Sequence, residues 1–209
     1  MTQRTRFDAT DIARIAVFAA IVAVLGLPGG FSVFGAVPIT AQTLGVMLAG
    51  AILGPWRGAA AMLVFVALVA IGLPLLAGGH GGIGVLVGPT GGYVIGWIFG
   101  AFVIGAIVHA RGRKLTWLRT IVGIAVGGIL VVYAFGLPVQ AFVTRLPLGE
   151  TALQSLVFVP GDLIKTVIAA VITMTLVRAY PRAFRAAAAT APAAPPVAVG
   201  ASTADDDSR

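Results

Sequence analysis

The last long apolar run of this chain opens with the stretch Val159-Pro160-Gly161-Asp162-Leu163-Ile164-Lys165-Thr166. An acid and a base stand three residues apart there, at the start of a predicted helix that is mostly apolar. Side chains at positions i and i+3 of a helix lie on one face, so Asp162 and Lys165 project together. Ionisable groups inside a membrane segment are costly and mark a functional site by default. The stretch therefore predicts either a binding site or an internal ion pair at the start of a membrane helix.

The composition places the rest of the chain in a membrane as well. Of 209 residues, 59% are hydrophobic and only 10% are charged, and the mean hydropathy is +1.04. A soluble domain does not need so much apolar surface, and polar residues are too few for the alternating strands of a β-barrel. Cysteine is absent, which excludes disulfides, thiolate metal sites and cysteine catalysis. We therefore expect an all-α integral membrane protein that contacts lipid.

Apolar runs and their Gly and Pro boundaries predict six transmembrane helices, at about 12–30, 39–54, 57–73, 90–110, 117–137 and 160–180. The second and third are short for a span of about 20 residues, which favours tilted helices packed within the bundle. Either Asp8 or Asp11 can serve as the N-cap of the first helix. The membrane domain would cover 1–185, and the Ala/Pro-rich tail 186–209, which ends in three aspartates, is predicted to be disordered.

Basic residues occupy alternate connections of this predicted bundle. They precede the first segment, separate the second from the third and the fourth from the fifth, and follow the sixth: Arg4, Arg6, Arg14, Arg57, Arg111, Arg113, Lys114, Arg119, Arg178, Arg182 and Arg185. The connections from segment one to two and from three to four contain no Lys or Arg. Positively charged loops stay in the cytoplasm. Six spans would therefore place both termini in the cytoplasm, and the net charge of +7 needs no nucleic acid to explain it.

Further polar residues and one glycine would meet Asp162 and Lys165 on the outer side. They lie at the start of the second segment, in the Gly-rich connection 75–89 and at the start of the fourth segment: Gln42, Thr43, Gly79, His80, Thr90 and Tyr93. Glycines let a backbone approach a ligand closely, and together these residues are candidates for one pocket. The alternatives are Gln and Thr side chains that satisfy a neighbouring helix and a tyrosine of the interfacial aromatic belt. A lone histidine without a second ligand nearby does not indicate a metal site.

Small residues spaced four apart form a stripe in the first segment. The stripe is Ala16 and Ala20, or Ala19 and Ala23, and either pair lets another helix approach closely. Packing within the chain is the usual explanation for such a stripe. The sequence contains no nucleophile elbow, zinc-binding helix or phosphate-binding loop. It therefore predicts a protein that is not an enzyme and that needs no cofactor or metal.

Five sequence blocks occur together in a recognisable order: PITAQTLGVMLAG at 38–50, LGP at 53–55, GLP at 72–74, GPTGGY at 88–93 and PGDLIK at 160–165. Together they resemble the BioY family, the biotin-binding S components of energy-coupling factor (ECF) transporters. The resemblance runs from about residue 10 to 180 and leaves out the C-terminal tail.

The resemblance implies a six-helix S-component fold in the cell membrane that binds biotin from outside. It also implies partners, namely a transmembrane coupling (T) component, which would dock on the alanine stripe, and a pair of cytoplasmic ATPases. Asp162 would accept from a ureido N–H of biotin, and Lys165 would donate to the ureido oxygen or pair with the valerate carboxylate. Gln42, Thr43 and Tyr93 would complete the pocket. The alternatives are an S component for a different vitamin and a membrane scaffold that transports nothing.

Overall fold

The computed structural model describes residues 8–30, 37–110 and 115–180. Within these ranges the chain forms helices and turns and contains no β-strand, as expected: α1 Ala9–Val24, α2 Gln42–Leu53, α3 Pro55–Ala70, α4 Ile83–Leu86, α5 Gly91–Val108, α6 Trp117–Ala125, α7 Val132–Thr144, α8 Leu148–Ser155 and α9 Val159–Ala179. A π-helical turn, Val126–Val131, joins α6 to α7, and a 3-10 turn, Leu156–Phe158, joins α8 to α9. The predicted tail 186–209 lies outside the described residues.

Length and composition identify the membrane-crossing helices. Among the described residues, three continuous helices are long and apolar enough to cross a membrane: Gly91–Val108, Trp117–Thr144 and Leu148–Ala179. Two shorter apolar helices, Gln42–Leu53 and Pro55–Ala70, accompany them. The bounds of α2, α3 and α5 differ from the predicted segments by no more than three residues at either end.

The first helix is shorter than predicted, because it ends at Val24 and not near residue 30. At Gly26 the chain passes close to the side chain of Gln42 and the carbonyl of Leu75, and a Cβ atom there would lie 2.8 Å from each. The close approach therefore requires glycine at this turn, because any larger residue would place a Cβ atom against these groups. Asp8 is the N-cap, and its Oδ1 accepts a hydrogen bond of 2.7 Å from the N–H of Asp11.

Helical structure extends beyond the last two predicted segments, 117–137 and 160–180, into the connection between them. Helix α7 continues through Pro138 to Thr144, and helical structure resumes at Leu148. Membrane helices tolerate an internal proline because neighbouring groups satisfy the freed carbonyl. The chain reverses between the two helices at Arg145, which has a left-handed backbone with φ 57°. The short helix α4 also lies inside the connection that the sequence predicts as Gly-rich loop.

Helix α5 lies at the centre of the bundle and contacts α2, α3, α6 and α7. One close approach of α5 to a neighbour joins Gly100 to Gly127 of the π-helical turn. A Cβ atom on Gly100 would lie 2.7 Å from the carbonyl oxygen of Gly127, and one on Gly127 would lie 2.5 Å from that of Gly100. Glycine at both positions lets the two backbones touch, as small residues do where membrane helices pack.

A buried ion pair ties α1 to α3 at the end of the bundle where both helices begin. Arg57 Nε lies 2.7 Å from Asp11 Oδ1, and both side chains are almost fully buried. Close by, the buried His109 Nε2 lies 2.8 Å from the carbonyl oxygen of Ala51, in the last turn of α2. We call this region, defined by Asp11, Arg57 and His109, the ion-pair end.

Candidate binding site

A cavity of about 230 Å³ lies at the opposite end of the bundle, where α2, α5 and α9 begin. We call this the cavity end. Apolar residues form much of the wall: Val37, Pro38, Ile39, Leu76, Ala77, Val85, Val94, Trp97, Gly128, Val132 and Phe158. The remaining wall residues are polar: Thr40, Gln42, Thr43, His80, Thr90, Tyr93, Tyr133, Asp162 and Lys165. An apolar cavity with a few convergent polar groups is the usual form of a small-molecule site.

The predicted acid–base pair lies on the cavity wall and is bonded to a third predicted residue. Lys165 Nζ donates to Asp162 Oδ1 over 3.0 Å and to Thr43 Oγ1 over 2.9 Å. The Thr43 hydroxyl in turn donates to Asp162 Oδ1 over 3.4 Å. Helix α9 positions the two charged side chains one turn apart, and the start of α2 supplies the threonine. The structure therefore brings together three of the residues that the sequence predicts for the site.

A fourth member of this cluster, Tyr133, is absent from the residues that the sequence predicts for the site. Its hydroxyl donates to Asp162 Oδ2 over 2.8 Å. Its ring packs edge-on against that of Tyr93, with centroids 5.9 Å apart. The sequence signal that could have identified Tyr133 is a hydroxyl-bearing aromatic residue in the otherwise apolar second half of the fifth segment.

The cluster leaves some hydrogen-bonding positions of Asp162 and Lys165 open for a ligand. A carboxylate offers about four acceptor positions. Within the described residues, Asp162 uses two on Oδ1, for Lys165 and Thr43, and one on Oδ2, for Tyr133. An ammonium group has three N–H donors, and Lys165 uses two of them. One acceptor position on Asp162 Oδ2 and one N–H of Lys165 therefore remain open for a bound molecule.

Gln42 lies on the wall, but its amide is engaged by backbone. Its Nε2 donates to the carbonyl oxygens of Val22, over 3.2 Å, and Leu75, over 3.0 Å. Its Oε1 accepts from the N–H of Ala77 over 3.0 Å. The side chain is 1% exposed. Gln42 thus joins the end of α1, the start of α2 and the loop at 75–77, and it holds that loop as part of the wall.

Tyr93 is buried, and its hydroxyl is bonded to residues outside the charged cluster. It donates to Gln140 Oε1 over 2.7 Å and lies 3.3 Å from Ser155 Oγ. Tyr93 is therefore a wall residue and not an exposed tyrosine of an aromatic belt, an alternative that the sequence leaves open. These contacts anchor the start of α5 to α7 and α8.

The Gly-rich connection contributes to the rim unevenly. Thr90 is half-buried on the cavity wall. His80 also lines the cavity but is exposed, and its Nδ1 lies 2.9 Å from the carbonyl oxygen of Ala77. Gly79 lies in the same turn, with φ 75°, and is not part of the wall. No group of three or more potential metal ligands occurs in the described part of the chain.

The two possible alanine stripes of α1 differ in exposure. Ala16 and Ala20 are exposed, whereas Ala19 is 3% exposed and belongs to the core, with Ala23 half-buried against it. Of the two registers that the sequence leaves open, only Ala16 and Ala20 therefore present a free small-residue surface within the described residues.

Comparison with known proteins identifies the family. The sequence model of the BioY family matches residues 1–182. The chain belongs to the BioY family. Among curated relatives, the "Biotin transporter BioY" of Rhizobium etli is 44% identical and aligns with 82% of this chain and 95% of its own length. That of Rhodobacter capsulatus is 43% identical, with 84% and 97% coverage. The "Probable biotin transporter BioY" of Bacillus subtilis is 46% identical, with 81% and 91% coverage.

A solved structure extends the similarity to the fold. This BioY-family chain superposes with a TM-score of 0.78 and 34% identity on the crystal structure of "the S-component for biotin from an ECF-type ABC transporter". The match covers 85% of this chain and 95% of that one. The S-component fold is thereby confirmed. Together with the membrane-crossing helices, the membership makes this a multi-pass membrane protein of a transporter family.

Proposed function

We propose that this protein binds biotin with high affinity from the extracellular side and takes it up as the substrate-binding subunit of an ECF-type transporter. The observation that carries the proposal is the cluster of Asp162, Lys165, Thr43 and Tyr133 on the wall of a largely apolar cavity. The names of the BioY relatives and of the structural neighbour support biotin as the ligand.

The chemistry of biotin suits this cavity. Biotin has a ureido ring with two N–H donors and one carbonyl, an apolar bicycle and a valerate carboxylate. The open acceptor of Asp162 takes a ureido N–H, and the open N–H of Lys165 donates to the ureido oxygen. Because their charged atoms are only 3.0 Å apart, both residues act at the ureido end. The apolar wall covers the bicycle, and Thr90 and His80 supply polar groups at the rim for the valerate.

We propose six membrane spans with both termini in the cytoplasm, in the plasma membrane. The spans are α1, α2, α3, α5, the continuous helix α6–α7 and the continuous helix α8–α9. The distribution of arginine among the described residues supports this orientation. Of the described arginines, only Arg145 lies among the turns at the cavity end. The other four lie at the ion-pair end: Arg14, Arg57, Arg119 and Arg178. Since positive charge stays inside, the cavity opens to the outside.

We further propose that the protein hydrolyses no ATP itself and works with a transmembrane coupling component and a cytoplasmic ATPase pair. The structural neighbour, an S-component of an ECF-type ABC transporter, supports such partners. The exposed Ala16 and Ala20 form the docking stripe for the coupling component, because small side chains let two membrane helices approach closely.

Mass spectrometry of the small molecule that co-purifies with the protein tests the proposed ligand. Biotin is the expected result. Thermal unfolding with added biotin, thiamine or riboflavin provides the second arm. At a thousandfold excess over the dissociation constant, the true ligand stabilises the fold by about 4 kcal/mol. Stabilisation by a different vitamin would replace biotin in the proposal, and stabilisation by none of them would favour a scaffold.

A further inference from the structure

We propose that Tyr133 is a further specificity-determining residue, which fixes Asp162 so that the site reads only one N–H/C=O edge of the ureido ring. The inference rests on the proposed function, since it assigns the atoms through which biotin would be held. Its consequence is that this protein distinguishes the two ureido nitrogens, although each carries one N–H.

The geometry of the cluster excludes recognition of both N–H groups by neighbouring acceptors. In a cyclic urea the two N–H bonds point outward, on opposite sides of the carbonyl. Tyr133 Oη and Asp162 Oδ2 are only 2.8 Å apart, so they cannot each accept a different N–H of the same ring. One N–H and the carbonyl beside it form an adjacent donor and acceptor. The open acceptor of Asp162 and the open donor of Lys165 match that edge, because Lys165 Nζ lies only 3.0 Å from Asp162 Oδ1.

Occupied positions on Asp162 lead to the same conclusion. A free carboxylate can accept two N–H groups in parallel, one on each oxygen. Oδ1 of Asp162 already accepts from Lys165 and Thr43, which leaves Oδ2 for the ligand. The Tyr133 hydroxyl takes one position of Oδ2 and so fixes the direction from which a ligand N–H approaches.

The tyrosine itself is held in place, as a positioning residue must be. Its ring packs edge-on against Tyr93, with an interplanar angle of 83°. The Tyr93 hydroxyl is bonded in turn to Gln140. Tyr133 is also on the cavity wall, so its hydroxyl is adjacent to any ligand bound at Asp162. Without that hydroxyl, Asp162 would gain an open position and freedom to turn.

The test uses the purified full-length protein in detergent and calorimetric titration with three ligands: biotin and its two derivatives methylated on one or the other ureido nitrogen. For the wild type, we expect the two derivatives to differ in affinity by at least about tenfold, because one methyl replaces the N–H that Asp162 accepts. In Tyr133→Phe, we expect biotin to bind about tenfold more weakly and the ratio between the two derivatives to fall. Tyr180→Phe, the same change at an exposed residue, should alter neither value.

Each outcome decides for or against the inference. Equal affinities of the two derivatives for the wild type would overturn it without any variant. A Tyr133→Phe protein that loses the same factor for all three ligands would also overturn it, since a merely structural tyrosine leaves the ratio unchanged. If the wild type binds no biotin, the proposed function fails first. A wild type that binds biotin but shows no discrimination would leave the proposed function in place and remove only the inference.

Discussion

Two buried pairs of an aspartate with a base lie at opposite ends of this molecule. Asp162 and Lys165 are 3.0 Å apart at the cavity end, within a single helix. Asp11 and Arg57 are 2.7 Å apart at the ion-pair end, and they join α1 to α3. Both pairs are costly to place in a membrane protein, yet of the two only the first belongs to the wall of the 230 Å³ cavity.

The difference lies in what each pair can hold. A pair within one helix connects no separate elements, so its contacts across the bundle come from the added groups Thr43 and Tyr133. It also keeps an open acceptor and an open donor for a ligand. The pair between helices uses its charge to fasten two elements. A buried charge in a membrane segment is therefore not enough to identify a binding site. Whether its ion pair lies within one helix or joins two helices is the better guide.

The largest expected effect is on ligand binding at the cavity end. Lys165→Met keeps most of the length of the side chain but removes the charge and the N–H donors, and it leaves Asp162 buried without its base. We expect biotin affinity to fall by roughly a hundredfold or more, since truncating one partner of a buried charge pair costs about 2–5 kcal/mol. Isothermal titration measures the loss. Arg178→Met, at the exposed far end of the same helix, is the matched control, and an equal loss there would break the assignment.

A large loss of stability, without a loss of affinity, is expected at the other end. Arg57→Met removes the nearer of the two bases around Asp11, which lies 2.7 Å away, and leaves the buried carboxylate with only the half-buried Arg14, at 3.9 Å. The free energy of unfolding should fall by about 3 kcal/mol, measured by thermal unfolding in detergent. Biotin affinity of the folded fraction should stay within about twofold of wild type. A selective loss of binding with unchanged stability would reverse the roles assigned to the two pairs.

Local pattern predicts much of the cavity end but little of the ion-pair end. Asp162 and Lys165 share a helix face by spacing alone, and Thr43 starts a neighbouring segment, so these residues follow from the sequence. The Asp11–Arg57 pair links residues far apart in the chain, and the sequence predicts Asp11 only as a possible helix cap and Arg57 only as a topology signal. Tyr133 likewise reaches Asp162 only through the three-dimensional fold, by a hydrogen bond from α7 to α9.

The ends of the helices, like the ion pairs, depend partly on contacts between residues far apart in the chain. Pro138 indicates a helix end in sequence, but α7 continues through it because a membrane bundle can satisfy the freed carbonyl. Just after the end of α1, Gly26 approaches Gln42 and Leu75 closely, a contact between residues distant in sequence that no local pattern encodes.

An intermediate effect is expected at Gln42, which bonds α1 to the loop at 75–77 at the cavity end. Gln42→Leu removes hydrogen bonds to Val22, Leu75 and Ala77 and leaves these buried groups unsatisfied. We expect a loss of about 2 kcal/mol of stability and a weaker biotin affinity, because the loop at 75–77 forms part of the wall. Thermal unfolding and titration of the same sample measure both. An unchanged biotin affinity would show that the loop holds its place without Gln42.

The smallest effect on the isolated protein is expected on the exposed face of α1. Ala16→Leu should leave thermal stability and biotin affinity unchanged, while uptake of labelled biotin by cells that contain the partner subunits should fall. The matched change Ala19→Leu inserts the same atoms into the core and should destabilise the fold by about 1–3 kcal/mol. Normal uptake with Ala16→Leu would remove this surface from the docking proposal.

The most direct test of the central claim is one pair of titrations, of Asp162→Asn and Asp11→Asn with biotin. The two changes are chemically identical and affect the two buried pairs. The proposed site predicts that Asp162→Asn abolishes or greatly weakens binding while the protein still inserts into the membrane, and that the folded Asp11→Asn protein binds like the wild type. Near-wild-type affinity in Asp162→Asn would contradict the account.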